Sequence, residues 1–173
     1  ISISGDGYEY VDGVNGGQAL SLTGSAYVNL GKDERLQPEN LTLSFWINPN
    51  ETITGEQIIS WNKQEYNTDG WYLTSENDNT PLALSVGEGA NGGQPYKVSV
   101  KGNRAEFFPA GEWTHIVVTY DSETKDVAFY RNGEAQSVNV DYAVGEGRDG
   151  VLGSDPDMEK SIGYNGPAYG YAF

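Results

Sequence analysis

The residues most obviously equipped for chemistry are acidic. Asp155, Asp157 and Glu159 form the densest carboxylate group, with Asp149 upstream. Two carboxyl groups facing each other across a cleft can hydrolyse a glycosidic bond, and several oxygen ligands on one loop can hold Ca²⁺. Alternation would put Asp155, Asp157 and Glu159 on one side of an extended segment. Pro156 and the preceding Gly153-Ser154 argue for a loop instead. Acidic loops are solvated or bind cations more often than they catalyse. These three residues read first as a solvated loop, then as candidate metal ligands, and last as acid–base catalysts. Asn77-Asp78-Asn79 is a second, lesser cation candidate.

His115 is the chain's one histidine and there is no cysteine. A serine nucleophile needs an imidazole beside it, itself oriented by a carboxylate. His115 lies instead among Trp113, Val117 and Val118 and reads as a structural residue. One histidine cannot build a histidine metal cluster, and the lack of thiols excludes thiolate nucleophiles, zinc–thiolate sites and disulfides. Two Gly-x-Gly-x-x-Gly spacings occur, at Gly87, Gly89, Gly92 and at Gly145, Gly147, Gly150. A dinucleotide site requires such glycines between a strand and the N-terminus of a helix. Here each is followed by more loop, so they read as connections.

Aromatic side chains near loop ends suggest binding rather than catalysis. Trp61 and Trp71 flank the polar loop 62–69, Tyr72 follows Trp71, and Tyr96 closes the loop that starts at Gly87. A pyranose ring presents an apolar C–H face that stacks on an aromatic plane, while amides and carboxylates meet its hydroxyls. Trp61, Trp71, Tyr72 and Tyr96 are the candidate stacking residues. Asn67, Asp69, Asn77 and Asp78 are their candidate polar partners. Ordinary packing is the competing explanation for each ring.

The elements that must position these groups are strands. In 41–48, Leu41, Leu43, Phe45 and Ile47 alternate with Thr42, Ser44, Trp46 and Asn48, the period of a half-buried strand. Leu82, Leu84 and Val86 alternate with Ala83 and Ser85. In 113–121 both alternating sets hold bulky residues, which predicts a central strand covered on both faces. Val127–Arg131, Asn132-Gly133 and 134–140 read as a hairpin, because Asn-Gly accepts the positive φ angles of a type I′ turn. Further strands are expected near 26–30, 57–62, 70–75, 96–101 and 160–164. No stretch has a sustained helical period. With 23 glycines and 7 prolines among 173 residues, the chain suits many short strands in one domain.

The formal charge is −15, from 10 Lys+Arg against 25 Asp+Glu. That surface repels nucleic acid and anionic lipid, and leaves neutral glycans and cations as compatible partners. No apolar run approaches the ~20 residues of a membrane span. The chain starts in what reads as mid-protein sequence, so an export signal is expected elsewhere or removed.

Several segments resemble one family. LTLSFWINPN (41–50), QIISW (57–61), GWYLTS (70–75), LALSVG (82–87), FPAGEWTHIVVTYDSETKDVAFYRNG (108–133) and SIGY (161–164), with GGQALSLTGSAYVNLG (16–31), are similar to the bacterial laminin-G-like, concanavalin A-like domains. The resemblance implies an all-β, two-sheet antiparallel β-sandwich of the jelly-roll type, with 1–173 as a single domain. It also implies a module attached to secreted glycoside hydrolases, sialidases or adhesins, often with a structural Ca²⁺. By the same likeness Trp46, Trp113, His115 and Asn132-Gly133 serve the fold. The family's first strand and its closing D-E-V-R-I-Y-like strand have no counterpart, so the chain is expected to be a fragment of a longer protein. The Glu-x-Asp-x-x-Glu strand of related β-glucan hydrolases is also missing.

These readings lead to a non-catalytic carbohydrate-binding accessory module of a larger secreted or cell-surface enzyme. Its expected partners are a polysaccharide or glycoprotein glycan and neighbouring domains of the parent chain, with no nucleic acid and no membrane insertion. A structural or protein-interaction domain is the alternative, and an independent glycosidase comes last.

Overall fold

Period-two patterning produces strands throughout the computed structural model. It describes residues 1–173 apart from Gln37, 51–56, 63–69, 89–92, Glu146, 153–159 and 164–173, and describes 57–62 by backbone alone. A wide sheet runs in the order β1 (Ser2–Ser4), β4 (Tyr27–Gly31), β14 (Lys160–Ile162), β6 (Gln57–Asn62), β7 (Trp71–Ser75), β8 (Ala83–Val86), β9 (Tyr96–Val100), β13 (Val138–Tyr142). A narrow sheet has the order β12 (Glu134–Ala135), β11 (Val127–Arg131), β10 (Thr114–Tyr120), β5 (Leu41–Ile47). β2 (Tyr8–Asp12) and β3 (Gln18–Leu22) form a separate ribbon. The strand pairs among the described residues are antiparallel, as short hairpin connections require.

The core lies between the two main sheets. Leu41 of β5, Ile116, Val118 and Tyr120 of β10 and Phe129 of β11 meet Trp71, Leu73, Leu84, Val86, Tyr96 and Val98 of the wide sheet. Each is the inward member of its alternating pair. Fully burying one such side chain contributes about 1.5–3 kcal/mol. One helix, α1 (Arg104–Phe107), closes an end of the core with Phe107, and the Asn103 side chain caps it by accepting from the Glu106 N–H at 3.1 Å.

Two expectations needed correction. The strand at 113–121 is central, between β5 and β11, but only one face is covered: Thr114, Ile116, Val118 and Tyr120 are buried while His115, Val117 and Thr119 are half-exposed. Among the described residues, β7 and β8 are the strands buried on both faces. The hairpin turns as expected at Asn132 (φ 50°) and Gly133 (φ 84°), yet its second arm does not stay in one sheet. Gln136 N–H still donates to Phe129 C=O at 2.9 Å, whereas Ser137 C=O already faces Lys101 N–H, at 3.5 Å. The chain thus crosses from the narrow to the wide sheet at 136–137, which splits the arm into β12 and β13.

The two glycine-rich segments meet each other. Gly87 holds φ +76°, and Asp149 accepts from the N–H groups of Glu88 (3.2 Å) and Val151 (3.0 Å). Asp149 is thereby a tie between loops.

Candidate functional site

The wide sheet has an outward face as well as a core face. On β7 Trp71 and Leu73 point into the core, so Tyr72 and Thr74, and then Glu76, belong to the other side. On β8 that side carries Ala83 and Ser85, and on β9 Lys97 and Ser99. Register aligns Trp61, Tyr72, Ser85, Lys97 and Tyr142 in one row across β6, β7, β8, β9 and β13. Thr74, Ala83, Ser99 and Asn139 form the next row.

Lys97 is the hub of this face. Its Nζ lies 2.6 Å from the Glu76 carboxylate and 4.0 Å from Asp141 Oδ2. The side chains of Lys97, Glu76 and Asp141 are 12%, 19% and 23% exposed. A register shift between Val140 and Tyr142 is the kind of bulge that re-aims side chains at a sheet edge. It brings Asp141 and Tyr142 to the same ammonium, with Lys97 Nζ 5.8 Å and the Arg148 guanidinium 5.3 Å from the Tyr142 ring centre. Asn139 Nδ2 donates to Asp141 Oδ1 at 2.6 Å. Next in the row, Ser85 is fully buried and its Oγ has no hydrogen-bond partner among the described residues. A buried hydroxyl without a partner is costly. What results is a part-buried group of fixed charges, half-open at Tyr142, beside hydroxyls that are themselves buried; its carboxylates are the groups able to accept hydrogen bonds from a polyhydroxylated ligand.

The expected site residues divide three ways. Trp71, Tyr72 and Tyr96 are buried, at 6%, 3% and 6% exposure, so their rings are not the open platform expected of them. Their strands lie in the interior of an eight-stranded sheet, where Trp71 and Tyr96 fall on the core side of the alternation. Tyr96 donates its hydroxyl to Lys125 C=O at 2.7 Å, and burial raises its pKa above the ordinary phenol value. Asn77 and Asp78 are exposed in the turn directly after Glu76, and the structure brings them to the same end of the sheet. Asp78 is tied there by its C=O, which accepts from Arg104 N–H at 2.9 Å. Trp61 holds a position in the outward row. Asn67, Asp69, Asp155, Asp157 and Glu159 lie outside the described residues. Among the described residues no three acidic or histidine side chains gather to hold a metal, and no helix is long and apolar enough to cross a membrane.

Sequence reasoning missed Glu76, Lys97, Asp141 and Tyr142. A signal existed for one of them. In Tyr96-Lys97-Val98-Ser99-Val100 the lysine sits on the polar side of an otherwise apolar alternation. His115 also departs from expectation, being half-exposed on the outward side of the narrow sheet beside Trp46.

The family profile described as the concanavalin A-like lectin/glucanases superfamily matches residues 22–166. Among solved structures, the chain is similar to the CBM40 module of the Ruminococcus gnavus IT-sialidase, solved bound to α2,3-sialyllactose. Identity is 15%, over 84% of this chain and 77% of that one, with a TM-score of 0.55. It is also similar to botulinum neurotoxin type C, in a structure concerned with cell entry through two ganglioside molecules. There identity is 16%, over 93% of this chain but only 37% of the toxin chain, with a TM-score of 0.60. The binding domain of serotype C1 gives 16%, 93%, 37% and 0.59. At these identities the likeness is one of fold. No curated protein matches the sequence.

Proposed function

The chain belongs to the concanavalin A-like lectin/glucanase superfamily, and from that membership we propose that it is a non-catalytic glycan-binding module acting through the Lys97–Tyr142 edge of the wide sheet. One observation carries the reading: Lys97 is held between Glu76 and Asp141 beside the half-open ring of Tyr142. Carboxylates already fixed by an ammonium accept sugar hydroxyls without paying for their own ordering, and Tyr142 offers a ring to a pyranose C–H face. Asn77 and Asp78 extend the polar rim. The fold neighbours include a module whose structure holds sialyllactose, which supports a glycan as the ligand class.

In this reading the module works outside the cell as part of a larger glycan-active enzyme. It keeps that enzyme at a glycan surface and raises the local substrate concentration. The test is a glycan array followed by affinity electrophoresis of the chain, Lys97→Met and Tyr142→Ala. Binding by the chain and roughly tenfold weakening in each variant, about 1.4 kcal/mol, is the expected result. Absence of any glycan binding, or binding indifferent to both substitutions, refutes it.

A structural or protein-interaction role is the second reading, and the edge strand β13 favours it. Val138 and Val140 there are 42% and 52% exposed, and an apolar edge invites strand pairing or domain packing. Concentration-dependent self-association that Val140→Lys abolishes would support that reading over the first.

A further inference from the structure

The opposite side of the sandwich carries a second aromatic feature, unrelated to the Lys97 cluster. On the outward face of the narrow sheet Trp46 is 48% exposed. It stands opposite His115 in the β5–β10 register, with ring centres 4.9 Å apart and planes inclined by 34°. The imidazole is braced: its Nε2 lies 3.0 Å from Ser44 Oγ, so that edge of the ring is occupied. The backbone beneath it is braced too, since His115 N–H donates to Asn132 Oδ1 and His115 C=O accepts from Asn132 N–H, both at 2.8 Å. The Asn-Gly turn therefore fixes the strand position from which the imidazole projects.

The composition of this face is unusual for the chain. The registers that cross it pair Thr42 with Thr119, Ser44 with Val117 and Tyr130, and Trp46 with His115. None of these positions is Asp, Glu, Lys or Arg, in a chain that is 20% charged with a net charge of −15. An anionic ligand would be repelled by the whole molecule. A cationic one would be drawn to the acidic surfaces instead of this one. The chemistry left is uncharged and polyhydroxylated: an indole for a C–H face, with hydroxyls and an imidazole within reach of it.

We propose that Trp46 and His115 form a second saccharide site, for an uncharged pyranose, on the side of the sandwich opposite the Lys97 cluster. The sugar's C–H face stacks on the indole, and Ser44 and His115, beside it, exchange hydrogen bonds with its hydroxyls. Two sites facing away from each other let one module bridge two glycan chains, which multiplies avidity without adding contacts to either site.

The test is affinity electrophoresis of the full chain through gels containing uncharged polysaccharides (galactomannan, mixed-linkage β-glucan and hydroxyethylcellulose), with Trp46→Ala, Trp46→Phe and Lys97→Met alongside. In parallel, ¹⁵N NMR follows the Trp46 indole N–H as oligosaccharides of the same polymers are added. The inference expects retention in at least one gel, about tenfold weaker in Trp46→Ala and intermediate in Trp46→Phe, with a shift of the indole signal in the unsubstituted chain. The shift needs no variant to fold. An unmoved indole signal, retention unchanged in Trp46→Ala, or no retention by any of the three polymers overturns it. So does self-association, measured by sedimentation, that Trp46→Ala abolishes while retention stays the same, since the face would then be a protein contact. Weakening by Lys97→Met with no effect of Trp46→Ala removes this second site and leaves the first in place.

Discussion

Lys97 on β9 reaches Glu76, at the end of β7, at 2.6 Å and Asp141, on the edge strand β13, at 4.0 Å, so one ammonium joins three parts of the outward face. Removing it leaves two part-buried carboxylates without their cation. Lys97→Met is expected to cost about 1–3 kcal/mol of stability, below the full penalty for a completely buried pair because these groups are partly hydrated. Urea denaturation checks this. Glu76→Gln, which keeps the shape and removes a charge, should cost less than Lys97→Met, and the reverse order would mean that Lys97 is not the hub.

Gly87 has no room for a side chain. A Cβ there would lie 2.2 Å from Asp149 Oδ1 and 2.8 Å from Val151 N, at a backbone φ of +76°. Gly87→Ala must break the Asp149 tie as well as hold a left-handed conformation. A loss of about 2–4 kcal/mol is expected, read from the shift in denaturation midpoint. Asp149→Ala, which removes the obstructing oxygen, should make the Gly87→Ala change milder in the double variant.

Tyr120 donates its buried hydroxyl to Gly150 C=O. Burial, then the neighbouring Tyr96, Asp149 and Asp121, push its pKa far above the phenol value of 10.0. A phenol that ionises less readily when folded adds stability that is complete below the unfolded pKa and is lost as pH rises above it. Unfolding free energy should therefore fall with increasing pH above about 10. Tyr120→Phe should cost about 1 kcal/mol at neutral pH and flatten that alkaline slope. Urea titrations at a series of alkaline pH values give both quantities, and an unchanged slope in the variant would assign the pH dependence to other groups.

Trp71 separates packing from binding. Its ring belongs to the core cluster, so Trp71→Ala should cost about 3–5 kcal/mol. Trp71→Phe should be milder, because the indole Nε1 has no hydrogen-bond partner among the described residues and its loss removes a buried unpaired donor. Calorimetry measures both. Glycan affinity of folded Trp71→Phe should match that of the unsubstituted chain, and a marked loss would return the indole to the ligand.

Local pattern predicted most of the strands and the Asn132-Gly133 turn, because side-chain alternation and turn chemistry depend on near neighbours, while the two-sheet sandwich was implied by the family resemblance. The strands expected near 26–30, 57–62, 70–75, 96–101 and 160–164 appear as β4, β6, β7, β9 and β14. The same pattern could say that Trp71 and Tyr72 point to opposite faces. It could not say that both faces are buried there, since that depends on the order of eight strands, most of them distant in sequence. Nor could it reveal that Trp46, on the polar side of its strand, meets His115 across a strand pair, or that Glu76, Lys97 and Asp141 converge from positions 21 to 65 residues apart. Register and sheet order bring such groups together, and only the tertiary structure settles register between segments that the chain itself keeps far apart.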